Sequence, residues 1–165
     1  MCTRRTRTLG LGAAVREFNE RAVPGLGGIW FGKQALLAIL GIVVAERARE
    51  AGAHVRNIEV ANAIEALACW LAFKSNSWTQ DRRLRGINEL QAKGANFSFS
   101  QVRQRYFYVT QPMRMSSVQA LPSLGFATNE GVRFNSYRST ETGRAFVASA
   151  CDPFRPYNRD VVDHL

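Results

Sequence analysis

Apolar residues recur at helical spacing in three stretches of the first half of the chain, each closed by a stop signal. Between Ala13 and Val23, Val15, Phe18 and Ala22 are set among Arg16, Glu17, Glu20 and Arg21, and the pattern halts at Pro24. This predicts a short amphipathic helix. The run ALLAILGIVVA from Ala35 to Ala45 is uncharged, yet falls well short of the about 20 residues that span a bilayer. It predicts a buried helix covered on more than one side, with Gly41 admitting a close neighbour and Gly52 ending the charged tail ERARE. Asn57 is expected to cap a second long helix, IEVANAIEALACWLAFK, with Glu59 in its first turn and Lys74 in its last, as the helix dipole prefers. Its apolar stripe would comprise Val60, Ile64, Leu67, Leu71 and Phe73, with Trp70 in the core.

The second half is more broken. Ser77 and Gln80 have capping-box spacing ahead of DRRLRGINELQAKG, which predicts a helix whose polar face carries Arg82, Arg83 and Arg85 and which stops at Gly94. Asn96 opens the next connection. Ser98 and Gln101 repeat the box before a helix over 100–106. Thr110, Gln111 and Pro112 restart another, with Met115, Val118 and Leu121 on its apolar side and Arg114, Ser117 and Gln119 off it. That helix ends at Leu124-Gly125, and Pro122 inside it deletes a backbone bond and kinks the axis. Phe126-Ala127-Thr128 and Val132-Arg133-Phe134, joined by Asn129-Glu130-Gly131, predict a hairpin. Ser139 or Thr140 then caps TETGRAFVASAC, whose Phe146, Val147 and Ala150 face the core.

These elements predict a mainly α protein: a helical N-terminal half followed by a winged helix-turn-helix with a small β-hairpin wing. The order is a basic arm over 1–10, a helical region over 11–95, a winged-helix module over 96–151 and a tail over 152–165. The string LPSLGFATNEGVRF followed by STETGRAF resembles the C-terminal half of MarR-like and PadR-like winged-helix regulators, through Leu121, Leu124, Gly125, Thr140, Gly143 and Arg144. The resemblance covers about a third of the chain. It implies a reading helix, a wing and a capped last helix that together engage DNA.

Charge points the same way. The net charge is +9 over 165 residues, and residues 76–145 alone carry ten basic and four acidic side chains. A polyanionic partner is the leading electrostatic reading. Double-stranded DNA is the expected partner, with Arg114, Ser116, Ser117 and Gln119 near base edges and Arg103, Arg105, Arg133 and Arg138 near phosphates. Arg4, Arg5 and Arg7 form a basic arm suited to the phosphate backbone or a minor groove. No signal-peptide core follows them, so a cytoplasmic protein is expected, with no membrane role. The alternative reading is a winged-helix adaptor in a larger complex, docking a protein partner or a second copy through the apolar helices at 30–51 and 58–74.

Catalytic signatures are sparse. Cys2, Cys69 and Cys151 are widely spaced, His54 and His164 lack a supporting context, and acidic pairs do not cluster, so neither an enzyme, a metal site nor a bound cofactor is expected. Gly27, Gly32 and Lys33 match the spacing of a phosphate-cradling loop. However, Gln34 stands where a magnesium-binding Ser or Thr belongs, and no strand is predicted before it.

Overall fold

The computed structural model describes residues 10–29, 31–94, 97–131 and 133–165. The basic arm with Arg4, Arg5 and Arg7 lies outside the described residues, as do Trp30, Asn96 and Val132.

Helix α1 (Leu11–Ala22) forms where its periodicity predicts. None of its residues is buried, and Leu11, Val15 and Phe18 stand exposed. The centre is a helical hairpin of α2 (Gly32–Glu50) and α3 (Asn57–Ser75). Gly41 lets the two helices touch, since a Cβ there would lie 2.6 Å from the Ala61 Cβ. The unbroken burial of Ala38–Ala45 follows from α2 being covered all round. Besides α3, it packs against α6 (Arg114–Ser117), strand β2 (Tyr137–Ser139), α8 (Glu141–Cys151) and α9 (Val161–His164). Ile39 and Ile42 are fully buried there, each worth about 1.5–3 kcal/mol relative to exposure. Among the described residues no helix is long and apolar enough to cross a membrane.

One apolar cluster surrounds α2 and takes in Leu121, Tyr137 and Val147. A second surrounds the C-terminal half of α3, where Cys69 and Phe73 meet Leu84, Leu90, Tyr108 and Met113. The stripe on α3 differs from expectation at Leu71, which is 58% exposed. Cys69 and Phe73 are four residues apart and share a helix face, and Leu71 falls between them on the opposite side.

The region after α3 departs further. Ser77 and Trp78 do not start a helix; they adopt φ of 50° and 58° in a turn that stacks Trp78 on Phe73 at 6.4 Å. Asp81 organises the next turn by accepting the Arg83 N–H at 2.8 Å, and α4 (Ile87–Lys93) begins only beyond Gly86. Arg82, Arg83 and Arg85 are therefore on a loop. The helix expected over 100–106 contracts to α5 (Phe99–Val102), with Gln101 Oε1 accepting the Ser98 N–H at 3.1 Å as its spacing predicts.

The expected reading helix divides into two single turns, α6 and α7 (Ala120–Ser123). Pro122 has no N–H to return to the Val118 carbonyl, and that carbonyl instead accepts the Leu121 N–H, one residue nearer, at 3.3 Å. The turn closes as Gly125 and Phe126 N–H groups bond the Pro122 and Leu121 carbonyls, both at 2.9 Å.

A two-stranded antiparallel hairpin follows, β1 (Ala127–Asn129) against β2, with Ala127 opposite Ser139. The second strand lies later than the predicted 132–134. Phe134–Ser136 is a 3-10 turn, because the Phe134 carbonyl and the Asn135 side chain are both drawn to the start of α3. Thr140 caps α8, accepting the Gly143 N–H at 3.0 Å while donating to the Gly125 carbonyl at 2.6 Å. Finally α9 brings the tail onto α2, where Asp163 meets Arg47 at 3.0 Å.

Candidate functional site

The first two turns of α3 gather arginines from four separate parts of the chain. Asn57, fully buried, is the anchor. Its Nδ2 donates to the Phe134 and Tyr137 carbonyls at 3.2 and 2.8 Å, and its Oδ1 accepts from Arg49 Nη1 at 2.9 Å. One residue on, the Ile58 N–H donates to Asn135 Oδ1 at 3.1 Å. These bonds fasten the hairpin loop, and with it Arg133 and Arg138, over the helix start. Glu59 accepts the Arg56 N–H and guanidinium at 2.9 and 3.1 Å and lies 3.7 Å from Arg103 Nη1. The Arg56 side-chain hydrogen bond is the main reason the Glu59 carboxyl titrates below the usual range. Asn62 Nδ2 holds the Arg103 carbonyl at 3.1 Å, which places Arg105 next to the same helix.

Positive charge is left over in this group. Among the described residues, Arg105, Arg133 and Arg138 are exposed and have no carboxylate within 4 Å. Arg49 is more constrained still. Burial first, then the neighbouring Arg138 guanidinium, push it below the ordinary arginine range, and its buried Nη2 has no partner among the described residues. The partial positive charge of the α3 N-terminus adds to the same field.

Beneath this rim is a charged core. Glu65, fully buried, receives the Tyr108 hydroxyl at 2.5 Å, the Met113 and Arg114 N–H groups at 2.9 and 3.3 Å, and Arg114 Nη1 at 3.4 Å. Glu65 therefore fixes the start of α6 against α3. Arg114 also lies 5.9 Å from the centre of the Phe134 ring.

This arrangement relocates part of the expected DNA-reading set. Arg114 and Ser117 are buried, the first on Glu65 and the second with its hydroxyl 3.3 Å from the Gln34 carbonyl, so neither side chain is presented to a groove. Ser116 is half-buried and turns its hydroxyl back to the Met113 carbonyl at 2.7 Å. Gln119 is exposed, away from the arginine group, beside Asn129, Glu130 and Gly131. Of the expected phosphate contacts, Arg103 is partly neutralised by Glu59, whereas Arg105, Arg133 and Arg138 keep their charge outward.

Comparison with protein-family models, with curated proteins and with solved structures finds no match. The site therefore rests on its geometry. Lys33 is exposed in the first turn of α2, and the segment before it contains a 3-10 turn (Leu26–Gly28) where a phosphate loop would need a strand. Cys69 is fully buried, and burial pushes its thiol up to about 12. A thiol so held is a poor nucleophile.

Sequence reasoning took Asn57 for the cap of α3, whereas Arg56 holds the cap position and Asn57 is the first helical residue, and it did not single out Asn62 or Glu65. The signal was Asn57, Asn62 and Glu65 at spacings of five and three along a mainly apolar helix, and all three prove at least 96% buried.

Proposed function

We propose that this chain binds double-stranded DNA through the phosphate backbone, using the arginine group at the start of α3, with the β1–β2 hairpin serving as the wing of a winged-helix arrangement. The observation that carries this reading is the convergence of Arg49, Arg105, Arg133 and Arg138 on one helix end with too few carboxylates to neutralise them. Like charges held together, one with an orphaned donor, are stabilised by an anion placed between them. The burial of Arg114 and Ser117 favours binding that follows the backbone over base reading from α6. Duplex anisotropy titrations across salt concentrations test it. Binding should weaken steeply with salt, and Arg105→Ala, Arg133→Ala and Arg138→Ala should each reduce the log–log slope by about 1. Salt-independent binding, or none at low salt, contradicts the proposal.

A second reading, a protein-docking adaptor, is favoured by Leu11, Val15 and Phe18, exposed at helical spacing on α1, and by exposed Leu71 on α3. Its test is a pair of variants, Val15→Glu with Phe18→Glu, and Leu71→Glu. Loss of a specific assembly with DNA affinity unchanged would move the function to these faces.

A further inference from the structure

Beside Arg105, at the edge of the arginine group, lies a cavity of about 270 Å³ bounded by α3, α6 and the loop following α5. It is just below the about 300 Å³ at which pockets for drug-sized ligands begin, so its size suits one planar ring system. Ile58, Met115, Val118 and Phe134 supply apolar wall, and Tyr106 and Arg105 stand at its exposed side. The Arg105 guanidinium lies 5.3 Å from the Tyr106 ring centre, so each aromatic wall is accompanied by a cation.

Two polar side chains in the wall are more than nine-tenths buried. Asn62 spends Nδ2 on the Arg103 carbonyl, and its Oδ1 carries no bond among the described residues. Arg114 spends one guanidinium nitrogen on Glu65 at 3.4 Å. A carboxamide and a guanidinium are the two side-chain groups that read base edges in pairs of hydrogen bonds. Tyr106 is held at φ 63°, a conformation a bulky residue avoids, while the residue is 62% exposed. Backbone strain spent on holding an exposed aromatic ring at a cavity mouth is a feature of ligand clamps.

We propose that this cavity binds a single nucleobase, stacked against Tyr106 and Phe134, with its edge toward Asn62 and Arg114 and its phosphate on Arg105. This deepens the reading of the arginine surface as a DNA-backbone site, for it assigns that site one unpaired or extruded nucleotide. The same chemistry is offered by a free nucleoside monophosphate. The experiment separates these sources.

Anisotropy would compare a fully paired duplex with the same duplex carrying one unpaired nucleotide, in the wild-type chain and in Tyr106→Gly, where glycine keeps the positive φ. The unpaired nucleotide should tighten binding at least about fivefold, as stacking of one base supplies, and in Tyr106→Gly the ratio of the two affinities should fall to about 1, even where freeing Arg105 from the Tyr106 ring and hydroxyl changes both affinities together. Equal affinity of the wild-type chain for both duplexes overturns the nucleic-acid form of the proposal, whereas weak binding of both indicts the arginine surface instead. A separate NMR titration with adenosine and cytidine 5′-monophosphates reads the cavity without any duplex. Shifts confined to Tyr106, Met115 and Phe134, removed by Met115→Trp filling the mouth, identify a mononucleotide site even if duplex binding fails. No shift with the monophosphates and no preference for the unpaired nucleotide together overturn the proposal.

Discussion

Arg114 and Glu65 meet 3.4 Å apart between α6 and α3, with side chains 7% and 0% exposed. A pair so buried contributes little net stability over apolar residues of the same size, but losing one member strands the other. Glu65→Ala should therefore destabilise the fold by about 3–5 kcal/mol, read as a fall in the urea midpoint, and Arg114→Ala should do similar damage. The double replacement Glu65→Leu with Arg114→Met should be less harmful than the two single losses added together. A strictly additive cycle would show that the pair does not interact.

The exposed arginines should separate function from stability in the opposite way. Among the described residues Arg133 and Arg138 have no carboxylate within 4 Å, so Arg133→Ala and Arg138→Ala should leave the unfolding free energy within about 0.5 kcal/mol of the parent while weakening duplex binding. Arg114→Ala should weaken both together, because it removes the contact that holds the start of α6 on Glu65.

Gly143 has no room for a methyl group. A Cβ there would fall on the Phe126 carbonyl oxygen, which itself accepts the Thr140 N–H at 3.1 Å where α8 begins. Gly143→Ala should cost about 1–3 kcal/mol despite alanine's higher helix propensity, as overpacking usually does. Thr140→Ala removes the cap and should cost about 1 kcal/mol. Thermal melts of the two variants, with Ala148→Gly as an exposed control on the same helix, check the order.

Alkaline pH should weaken the fold. Burial pushes the Cys69 thiol up to about 12, and burial together with Glu65 raises the Tyr108 hydroxyl above the ordinary phenol range. In the unfolded chain these groups ionise near about 8.5 and about 10. The unfolded state thus releases protons that the folded state retains, so their contribution is complete below about pH 8.5 and declines as pH rises. Melting temperatures should fall above about pH 9, and Cys69→Ala should delay the onset of that fall. A melting temperature constant to about pH 11 would contradict the burial of both groups.

Much of this architecture follows from local sequence. The long apolar run around Ile39 had to be a covered helix, Gly41 admitted its neighbour, and Thr140 and Gly125 marked the ends they were expected to mark, because periodicity, caps and turns depend on residues a few positions apart. A mainly α chain with one small hairpin was legible on those grounds. Pro122 likewise announced a break, and the break is where α6 gives way to α7.

Tertiary structure decided which charges face outward. Sequence places Arg114 on a polar helix side and leaves Glu65 as one acid in an apolar stretch. Nothing local says that residues 49 positions apart neutralise each other in the core. The same is true of Asn57, which draws residues 77 and 80 positions later onto the helix start and so shifts β2 past Phe134. Electrostatic pairing acts through space. The net charge of +9 implied a polyanionic partner, and only the folded chain shows Arg105, Arg133 and Arg138 unneutralised while Arg114 is buried against Glu65.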